Sequence, residues 1–426
     1  MRNSMRAILG VIAVALFTLA SAASKEEKNE YPNATRKDPK PEMSAGVQKD
    51  LNKGLDFVNN NQFDEAMPLL QKVADDPKAS KYAHAMALYG EAQVANGKND
   101  DASAIARFQE AYQLDALPNN QQFQVLYNIA VMQIQSEKYD DALKTLADWF
   151  KVTGAQKSEA YALQANAYYR LDKYQESVDA MKKALSLTDK PNESYYQILM
   201  ASYAQLEQYD EAAKVLEQQL AKNPGDVKLT TQLATVYVKG KQDQKAVDLL
   251  VAAKQKGLLT SESDYKLMGQ LYDQLDKPKE GAAVLAEGFS KNIIKPSFEM
   301  YKLLGDSYAL ANDDAHAIEA YGKASALAKD GNVDYVRGSL LMNNDRMKEA
   351  VEALRQAIAK GSLKQPGEAQ LILGDAENNV DNTSAAIAAW EKAKAYPSTR
   401  QMAEQRLKNH KGGKGPVVVK KGKTPG

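Results

Sequence analysis

The side chains that could do chemistry are few in this sequence, and they are scattered along it. The three histidines are His84, His316 and His410, and none has a second histidine four residues away, as a helical zinc site requires. The chain contains no cysteine, which excludes thiolate ligands, thiol nucleophiles and disulfides. It also lacks a glycine-rich phosphate loop and a serine nucleophile elbow. These observations predict that the protein is not an enzyme and holds neither a cofactor nor a metal.

Acidic clusters are the other candidates for chemistry, and they are better explained as turns. Asp140-Asp141 and Asp313-Asp314 fall where helices are predicted to begin, and carboxylates stabilise helix N-termini. Residues 330–334 faintly resemble a calcium loop, but the glycine is misplaced and the bidentate glutamate is missing. Binding to another macromolecule therefore remains as the function. The formal charge is balanced, with 55 basic and 55 acidic residues, which argues against nucleic acid as the main partner.

Residues 193–224 show the elements that must position the side chains of such a binding surface. Their first half carries apolar residues three or four apart, on one face of a helix: Tyr196, Leu199, Met200 and Tyr203. After a turn, a second amphipathic helix carries Ala212, Leu216 and Leu220 and is stopped by Pro224. Helices this short are marginal alone in water. The pair therefore predicts similar neighbours packed on either side.

Those neighbours are predicted by a small residue that recurs every 33 to 38 residues. It stands at the start of each second helix, at Ala66, Ala104, Ala142, Ser177, Ala212, Ala246, Gly281, Ala317, Ala350 and Ala386. A helix-turn-helix pattern with a period near 34 resembles the tetratricopeptide repeat. The resemblance covers residues 46–410. It implies an all-α fold, an α-solenoid (right-handed superhelix) of about ten repeats with a C-terminal capping helix.

Other signature positions support this resemblance. Small residues stand where paired helices pack closest, at Ala130, Ala165, Ala234, Gly269, Gly305, Gly338 and Gly374. Aromatic residues stand three positions after that place, at Tyr168, Tyr203, Tyr237, Tyr272 and Tyr308. The pattern weakens at its ends, where Lys53 replaces an apolar residue and Glu377 replaces the aromatic one. Such departures are typical of terminal capping repeats.

The two ends of the chain have a different composition. Arg2 and Arg6, an apolar run over residues 7–20 and the triplet Ala20-Ser21-Ala22 predict a cleaved signal peptide over residues 1–22. The alternative, a membrane anchor, is disfavoured because the run is too short to span a bilayer. Residues 23–45 are predicted to be a disordered linker, residues 46–410 the repeat domain, and residues 411–426 a flexible basic tail. The tail either attracts anionic surfaces or is a solvated terminus. The predicted location is the periplasm, with no membrane span in the mature chain.

The resemblance also implies where a partner would bind. In tetratricopeptide proteins the first helix of each repeat lines a concave groove, and here that wall would hold Tyr89, Gln93, Tyr127, Val131, Ile134, Asn166, Tyr169, Arg170, Gln197 and Thr235. Tyrosines that the repeat does not need for packing favour a protein or extended-peptide site, because tyrosine is enriched at binding hot spots. The alternative is that these tyrosines pack against neighbouring helices. Some eukaryotic relatives clamp a terminal carboxylate with Lys and Asn at groove positions, and the basic residues needed for this do not occur at those positions within any three consecutive repeats.

The second half of the chain supports a narrower resemblance. The stretches DYKLMGQLY from Asp264 and KPKEGAAVLAEGF from Lys277 are similar to periplasmic tetratricopeptide proteins of TonB energy-transduction systems. This resemblance covers residues 245–410. It implies a non-catalytic accessory whose partners are TonB, ExbB, ExbD or outer-membrane transporters. Two alternatives remain open: an envelope-assembly or chaperone-like factor that binds outer-membrane proteins, and a polysaccharide-secretion module.

Overall fold

The computed structural model describes residues 29–411, and the regular elements among them are all α-helices. The chain divides into two compact units, Met1–Ala212 and Ala213–Gly426. The first contains α1 (Ala45–Asn59), α2 (Phe63–Ala74), α3 (Lys81–Gly97), α4 (Asp101–Gln113), α5 (Asn119–Gln135), α6 (Tyr139–Thr153), α7 (Ser158–Arg170), α8 (Tyr174–Ser186), α9 (Glu193–Gln205) and the start of α10 (Tyr209–Lys222).

The second unit contains the rest of α10 and the following helices: α11 (Val227–Lys239), α12 (Asp243–Gln255), α13 (Glu262–Gln274), α14 (Pro278–Ser290), α15 (Phe298–Leu310), α16 (Asp314–Ser325), α17 (Asn332–Asn343), α18 (Met347–Lys360), α19 (Pro366–Asn379), α20 (Thr383–Lys394) and α21 (Arg400–Lys411). Within residues 29–411, α1 to α20 form ten successive pairs and α21 follows the last pair. The predicted all-α architecture of about ten helix-turn-helix repeats is confirmed.

One kind of turn joins the two helices of every pair. It contains a residue in the left-handed region, with φ between 55° and 62°: Asn61, Asn99, Glu137, Asp172, Glu207, Lys241, Asp276, Asn312, Asp345 and Asp381. The next residue donates its N–H back to the first helix, as Lys173 donates to the Tyr168 carbonyl at 2.9 Å. This pattern is a Schellman cap. In each pair the left-handed residue lies five positions before the recurrent small residue. The spacing of that small residue along the sequence is therefore the spacing of the turns.

The predicted small positions of the first helices lie against side chains of the second helix of the same pair. A Cβ on Gly305 would stand 2.6 Å from the ring of Tyr321, and one on Gly374 would stand 2.4 Å from the ring of Trp390. The alanines at the same place are fully buried at 0% exposure, at Ala130, Ala165 and Ala234. The helices therefore approach too closely for a larger residue.

The atypical residues at the two ends of the repeat domain have different environments. Lys53 is exposed on α1. Glu377, by contrast, is only 1% exposed. Its Oε1 accepts a hydrogen bond from Arg355 Nε at 2.8 Å, and its Oε2 accepts one from Asn382 Nδ2 at 2.8 Å. A polar network thus takes the place of the aromatic ring in the last pair.

Helix α21 covers the last pair, as predicted, but not with every expected side chain. Arg406 Nε lies 3.1 Å from Asp375 Oδ1 on α19, and Leu407 is buried. From the sequence, Met402, Leu407 and the stem of Arg406 are the candidates to cover the last pair, and Met402 does not do so because it is 40% exposed. Ala403 and Leu407, one turn apart, form the buried face and leave Met402 facing outward.

Several predictions concern the chain termini. The predicted signal peptide, residues 1–22, lies outside the described residues, as does the predicted basic tail except for its first residue. Residues 29–45 of the predicted linker are described, and there the structure differs from the expected disorder, since residues 30–38 pack against α5 and α6. No helix within residues 29–411 is long and apolar enough to cross a membrane.

Candidate peptide-binding site

Four first helices of the first unit carry the seven residues predicted to contact a partner. They are Tyr89 and Gln93 on α3, Tyr127 on α5, Asn166, Tyr169 and Arg170 on α7, and Gln197 on α9. Within this unit α7 packs directly on both α5 and α9. The start of α9 is fixed by Asn192, whose side chain accepts a hydrogen bond from Ser194 N at 3.0 Å.

Three of the seven side chains are interior, which corrects their predicted place on an open wall. Tyr89 is 3% exposed and its ring packs 5.6 Å from that of Phe108, while Gln93 Nε2 donates to Tyr89 Oη at 3.1 Å. Asn166 is 5% exposed. Among the other wall candidates, Val131, Ile134 and Thr235 fit no better: the first two are buried, and the third belongs to the second unit.

Tyr127 lies at the edge of an aromatic cluster in the first unit. Its side chain is half-buried, and its ring centroid is 5.7 Å from that of Trp149. Burial raises the pKa of the Tyr127 phenol, and the nearby Glu159 carboxylate raises it further. The hydroxyl therefore stays protonated at neutral pH and can act as a hydrogen-bond donor.

The remaining predicted residues are half-buried on α7 and α9. The ring of Tyr169 meets that of Tyr174 edge-on at 5.7 Å, and the Arg170 guanidinium lies 5.7 Å from the ring centre of Tyr139. Gln197 Nε2 donates to Glu193 Oε1 at 3.3 Å. Gln197 Oε1 is buried, and no hydrogen-bond partner for it exists in the part of the chain that the structure describes. A buried acceptor without a partner is costly, so a rotation of the half-buried Gln197 side chain that brought Oε1 to a donor would be favourable.

Helix α5 carries further unsatisfied polar atoms. Gln121 Oε1, Gln122 Oε1 and Asn128 Nδ2 are buried without a hydrogen-bond partner among residues 29–411. Asn128 is 1% exposed, and its Oδ1 accepts from Gln124 Nε2 at 2.8 Å. These atoms lie inside the first unit and not on its surface, so they do not form an open binding site.

The residues missed by sequence reasoning belong to a segment before α1. Residues 30–38, which we call the N-terminal strap, insert Tyr31 between α5 and α6, where it is 2% exposed. Its ring meets those of Phe123 and Trp149 edge-on at 5.2 and 5.9 Å, and Lys157 Nζ lies 4.3 Å from its centre. Burial raises the pKa of the Tyr31 phenol, although the Lys157 ammonium acts in the opposite direction. Phe123, Trp149 and Lys157 form what we call the Tyr31 socket.

Arg36 fixes the other end of the strap to the turn before α5. Arg36 Nε pairs with Asp115 Oδ1 at 2.7 Å, and Arg36 Nη1 donates to Asn119 Oδ1 at 2.6 Å and to the Leu117 carbonyl at 3.0 Å. Asn119 N in turn donates to Asp38 Oδ1 at 2.7 Å. These partners are about 80 residues away in sequence, so the polar, proline-containing strap gave no local signal of its packing.

The second unit has a cleft of about 380 Å³ between α14, α15 and α16. Its aromatic rings face one another, with Phe289 stacked on Tyr301 at 4.7 Å and Tyr308 stacked on His316 at 5.0 Å. Because the rings of each pair stack on each other, only their outer faces are open to a ligand in this cleft. Within residues 29–411 no group of three or more His, Asp or Glu side chains is arranged to hold a metal ion.

Family models of the tetratricopeptide repeat match the chain in both units. One matches residues 203–258, a second matches residues 51–120 and 335–398, and a third matches residues 158–191. Together these stretches make up about half of the chain, and none of the matching models describes an enzyme. No curated protein matches the sequence.

Solved structures with similar folds share little sequence with this chain. A tetratricopeptide repeat protein from Parabacteroides merdae is 14% identical, with 62% of this chain and 99% of that chain covered and a TM-score of 0.37. The C-terminal part of a repeat protein from Cytophaga hutchinsonii is 14% identical, covering 66% and 99%, with a TM-score of 0.39. YrrB, a tetratricopeptide protein with an unusual peptide-binding site, is 17% identical, covering 50% and 96%, with a TM-score of 0.32. Likenesses this distant carry no information about what the present chain binds.

Proposed function

Because the chain carries tetratricopeptide repeats, we propose that it is a non-catalytic scaffold that holds extended segments of partner proteins on the first helices of its N-terminal unit. The observation that carries this proposal is the set of half-buried polar and aromatic side chains on α5, α7 and α9: Tyr127, Tyr169, Arg170 and Gln197. The buried, unpartnered Gln197 Oε1 is part of that set. A rotation of this half-buried side chain brings the acceptor to a backbone N–H of a bound segment.

Half-buried tyrosines suit this role for an energetic reason. A tyrosine already held by neighbouring rings loses little conformational entropy when a partner covers its remaining surface. Tyr127 and Tyr169 are both held in this way, by Trp149 and Tyr174. Arg170 adds a planar donor that can pair with a carboxylate or a carbonyl.

The finer proposal concerns place and partners. It places the protein in the periplasm, as an accessory of a TonB-dependent outer-membrane transport system, with TonB, ExbB, ExbD or a transporter as partner. The apolar run of residues 7–20 with its small-residue site supports export, and the resemblance over residues 245–410 supports the partners. Cell fractionation and the mass of the mature N-terminus test the location.

One binding experiment tests both levels of the proposal. The purified chain is titrated with the purified periplasmic domains of TonB and ExbD and with periplasmic loops of the transporters. At least one of them binds, and the double variant Tyr169→Ala, Gln197→Ala weakens that binding by about 30-fold, a hot-spot effect of about 2 kcal/mol. Tyr396→Ala, a matched control at an exposed tyrosine of the second unit, leaves the affinity unchanged.

Two results would contradict the proposal at different levels. If none of these components binds but unfolded outer-membrane proteins do, and the double variant weakens that binding, the scaffold stands and the TonB assignment is replaced by envelope assembly. If every partner binds the double variant as tightly as the unchanged chain, the assignment of the site to α7 and α9 is wrong.

A further inference from the structure

The N-terminal strap is held mainly by side chains and has little structure of its own. Within residues 30–38 there is neither helix nor strand, and its internal backbone hydrogen bond joins Ala34 N to the Tyr31 carbonyl at 3.1 Å. Its two ion pairs are open to solvent on the acidic side, where Glu30 is 53% exposed and Asp115 is 71% exposed. Exposed ion pairs contribute little, whereas ordering these residues costs conformational entropy. The docked strap is therefore held by the buried Tyr31 ring and by the Arg36 guanidinium, and no backbone-to-backbone hydrogen bond joins residues 30–38 to the repeats.

The Tyr31 socket, in contrast, is built by contacts that do not involve the strap. Trp149 Nε1 donates to the Phe123 carbonyl at 3.0 Å, and the Trp149 ring also packs on Phe150 at 5.3 Å and on Tyr127 at 5.7 Å. Trp149 is 1% exposed and belongs to the core of the first unit. The socket walls therefore stay in place when Tyr31 leaves, and an aromatic side chain can enter again.

The contacts of the strap define a recognition pattern. An acidic residue directly before the aromatic ring pairs with Lys157, as Glu30 Oε2 does at 3.0 Å. A basic residue five positions after the ring pairs with Asp115, as Arg36 does. Charge complementarity at both ends and an apolar socket between them select a peptide in one direction, and that peptide turns directly after its aromatic residue, as the strap does where Ala34 N donates to the Tyr31 carbonyl.

We propose that the Tyr31 socket is a second peptide-binding site, filled by the strap in cis and by a segment of a partner protein with the same turn in trans. The partner segment carries an acidic residue, then an aromatic one, and a basic residue five positions after the aromatic. This inference rests on the proposed scaffold function and adds a site whose occupancy the chain itself controls. Because Tyr127 contacts Trp149, the socket borders the candidate site on α5.

The test uses the full chain and a fluorescent peptide of residues 29–40, followed by fluorescence anisotropy. The unchanged chain binds the peptide weakly, because its own strap occupies the socket. The Tyr31→Ala chain binds it about tenfold more tightly, since the competent fraction of sockets rises. The same peptide with Tyr31→Ala does not bind, and adding Lys157→Ala to the Tyr31→Ala chain removes the gain.

A second variant guards against a folding defect in the Tyr31→Ala chain. Arg36→Glu loosens the strap without touching the socket and should also raise the peptide affinity. Equal peptide affinity for the unchanged chain and both variants, with native circular dichroism and melting curves, would overturn the inference. A concentration-dependent dimer of the unchanged chain that Tyr31→Ala abolishes would also overturn it, because the socket would then belong to a second copy.

The outcome for the socket is separable from that of the scaffold function. The socket experiment uses only the chain's own sequence as the probe, whereas the scaffold experiment uses partner domains and the Tyr169→Ala, Gln197→Ala variant. If the peptide fails to bind while partner binding still depends on Tyr169 and Gln197, the second site is wrong and the scaffold remains.

Discussion

At the residue scale, the turn inside each helix pair requires a backbone conformation that is unfavourable for most side chains. Most of the left-handed residues are asparagine or aspartate, which tolerate that conformation better than other residues with a Cβ. Lys241 is an exception, with φ of 56°. It directly follows Gly240, whose φ is −79°, so the glycine stands one position before the strained residue and does not relieve it.

Lys241→Gly is therefore expected to stabilise the protein. Removing the Cβ relieves left-handed strain worth about 1 to 2 kcal/mol, part of which is offset by the greater freedom of glycine in the unfolded chain. We expect the free energy of unfolding to rise by about 0.5 to 1 kcal/mol, measured by urea titration followed by circular dichroism. Gln232→Gly, on the exposed side of α11, is the control and should lower it by a similar amount. A loss of stability in Lys241→Gly would show that the turn is not strained.

The predictability of the binding residues also differs from one residue to the next. The position of a residue within the repeat predicts which face of the first helix it occupies. This is why the binding site could be proposed at Tyr127, Tyr169, Arg170 and Gln197. Tyr89 and Gln93 obey the same assignment but are buried, since α3 is enclosed along most of its length. Such burial depends on the neighbouring elements, which a position within one repeat does not reveal.

At the element scale, the close approach of paired helices decides which residues the first helix can hold. Trp390 on α20 fills the space beside Gly374 on α19, and its Nε1 donates to Asp375 Oδ1 at 3.0 Å, which fixes the indole. The close contact was predictable because a small residue recurs at this position in most of the pairs. The polar network around Glu377 was not, because it occurs once and joins residues of two helices and a turn.

Gly374→Ala should lower the free energy of unfolding although alanine favours helix. The helix propensity gain is about 1 kcal/mol, but the new Cβ would stand 2.4 Å from the indole of Trp390 and force a shift that costs about 1 to 3 kcal/mol. We expect a net loss of about 1 kcal/mol by urea titration. Gly46→Ala is the matched control, because nothing lies within 4 Å of a Cβ there and only the propensity gain remains. If both variants are more stable, α19 and α20 are not in close contact at Gly374.

At the scale of the whole molecule, structural features that repeat along the chain can be predicted from the sequence, whereas a feature that occurs once cannot. The ten pairs were predictable since the same turn and the same close contact recur along the chain. The N-terminal strap was not, because its anchoring partners lie between 79 and 127 residues away and its own composition is polar. A polar composition predicts disorder for a segment that has nothing to pack against. Here the folded repeats provide side chains against which the strap packs.

The basic end of the chain gives a prediction at the same scale. Lys414, Lys420, Lys421 and Lys423 lie in a stretch without acidic residues, and each lysine near an anionic membrane surface contributes about 1 kcal/mol. Replacing all four with glutamine should weaken binding of the full chain to phosphatidylglycerol vesicles in about 0.02 M salt. In about 0.5 M salt the difference should vanish, because the Debye length shortens and the salt screens the attraction between the lysines and the lipid head groups. Vesicle co-sedimentation measures both conditions, with neutral phosphatidylcholine vesicles as control. An equal loss at both salt concentrations would contradict the electrostatic role and favour a specific contact of the tail.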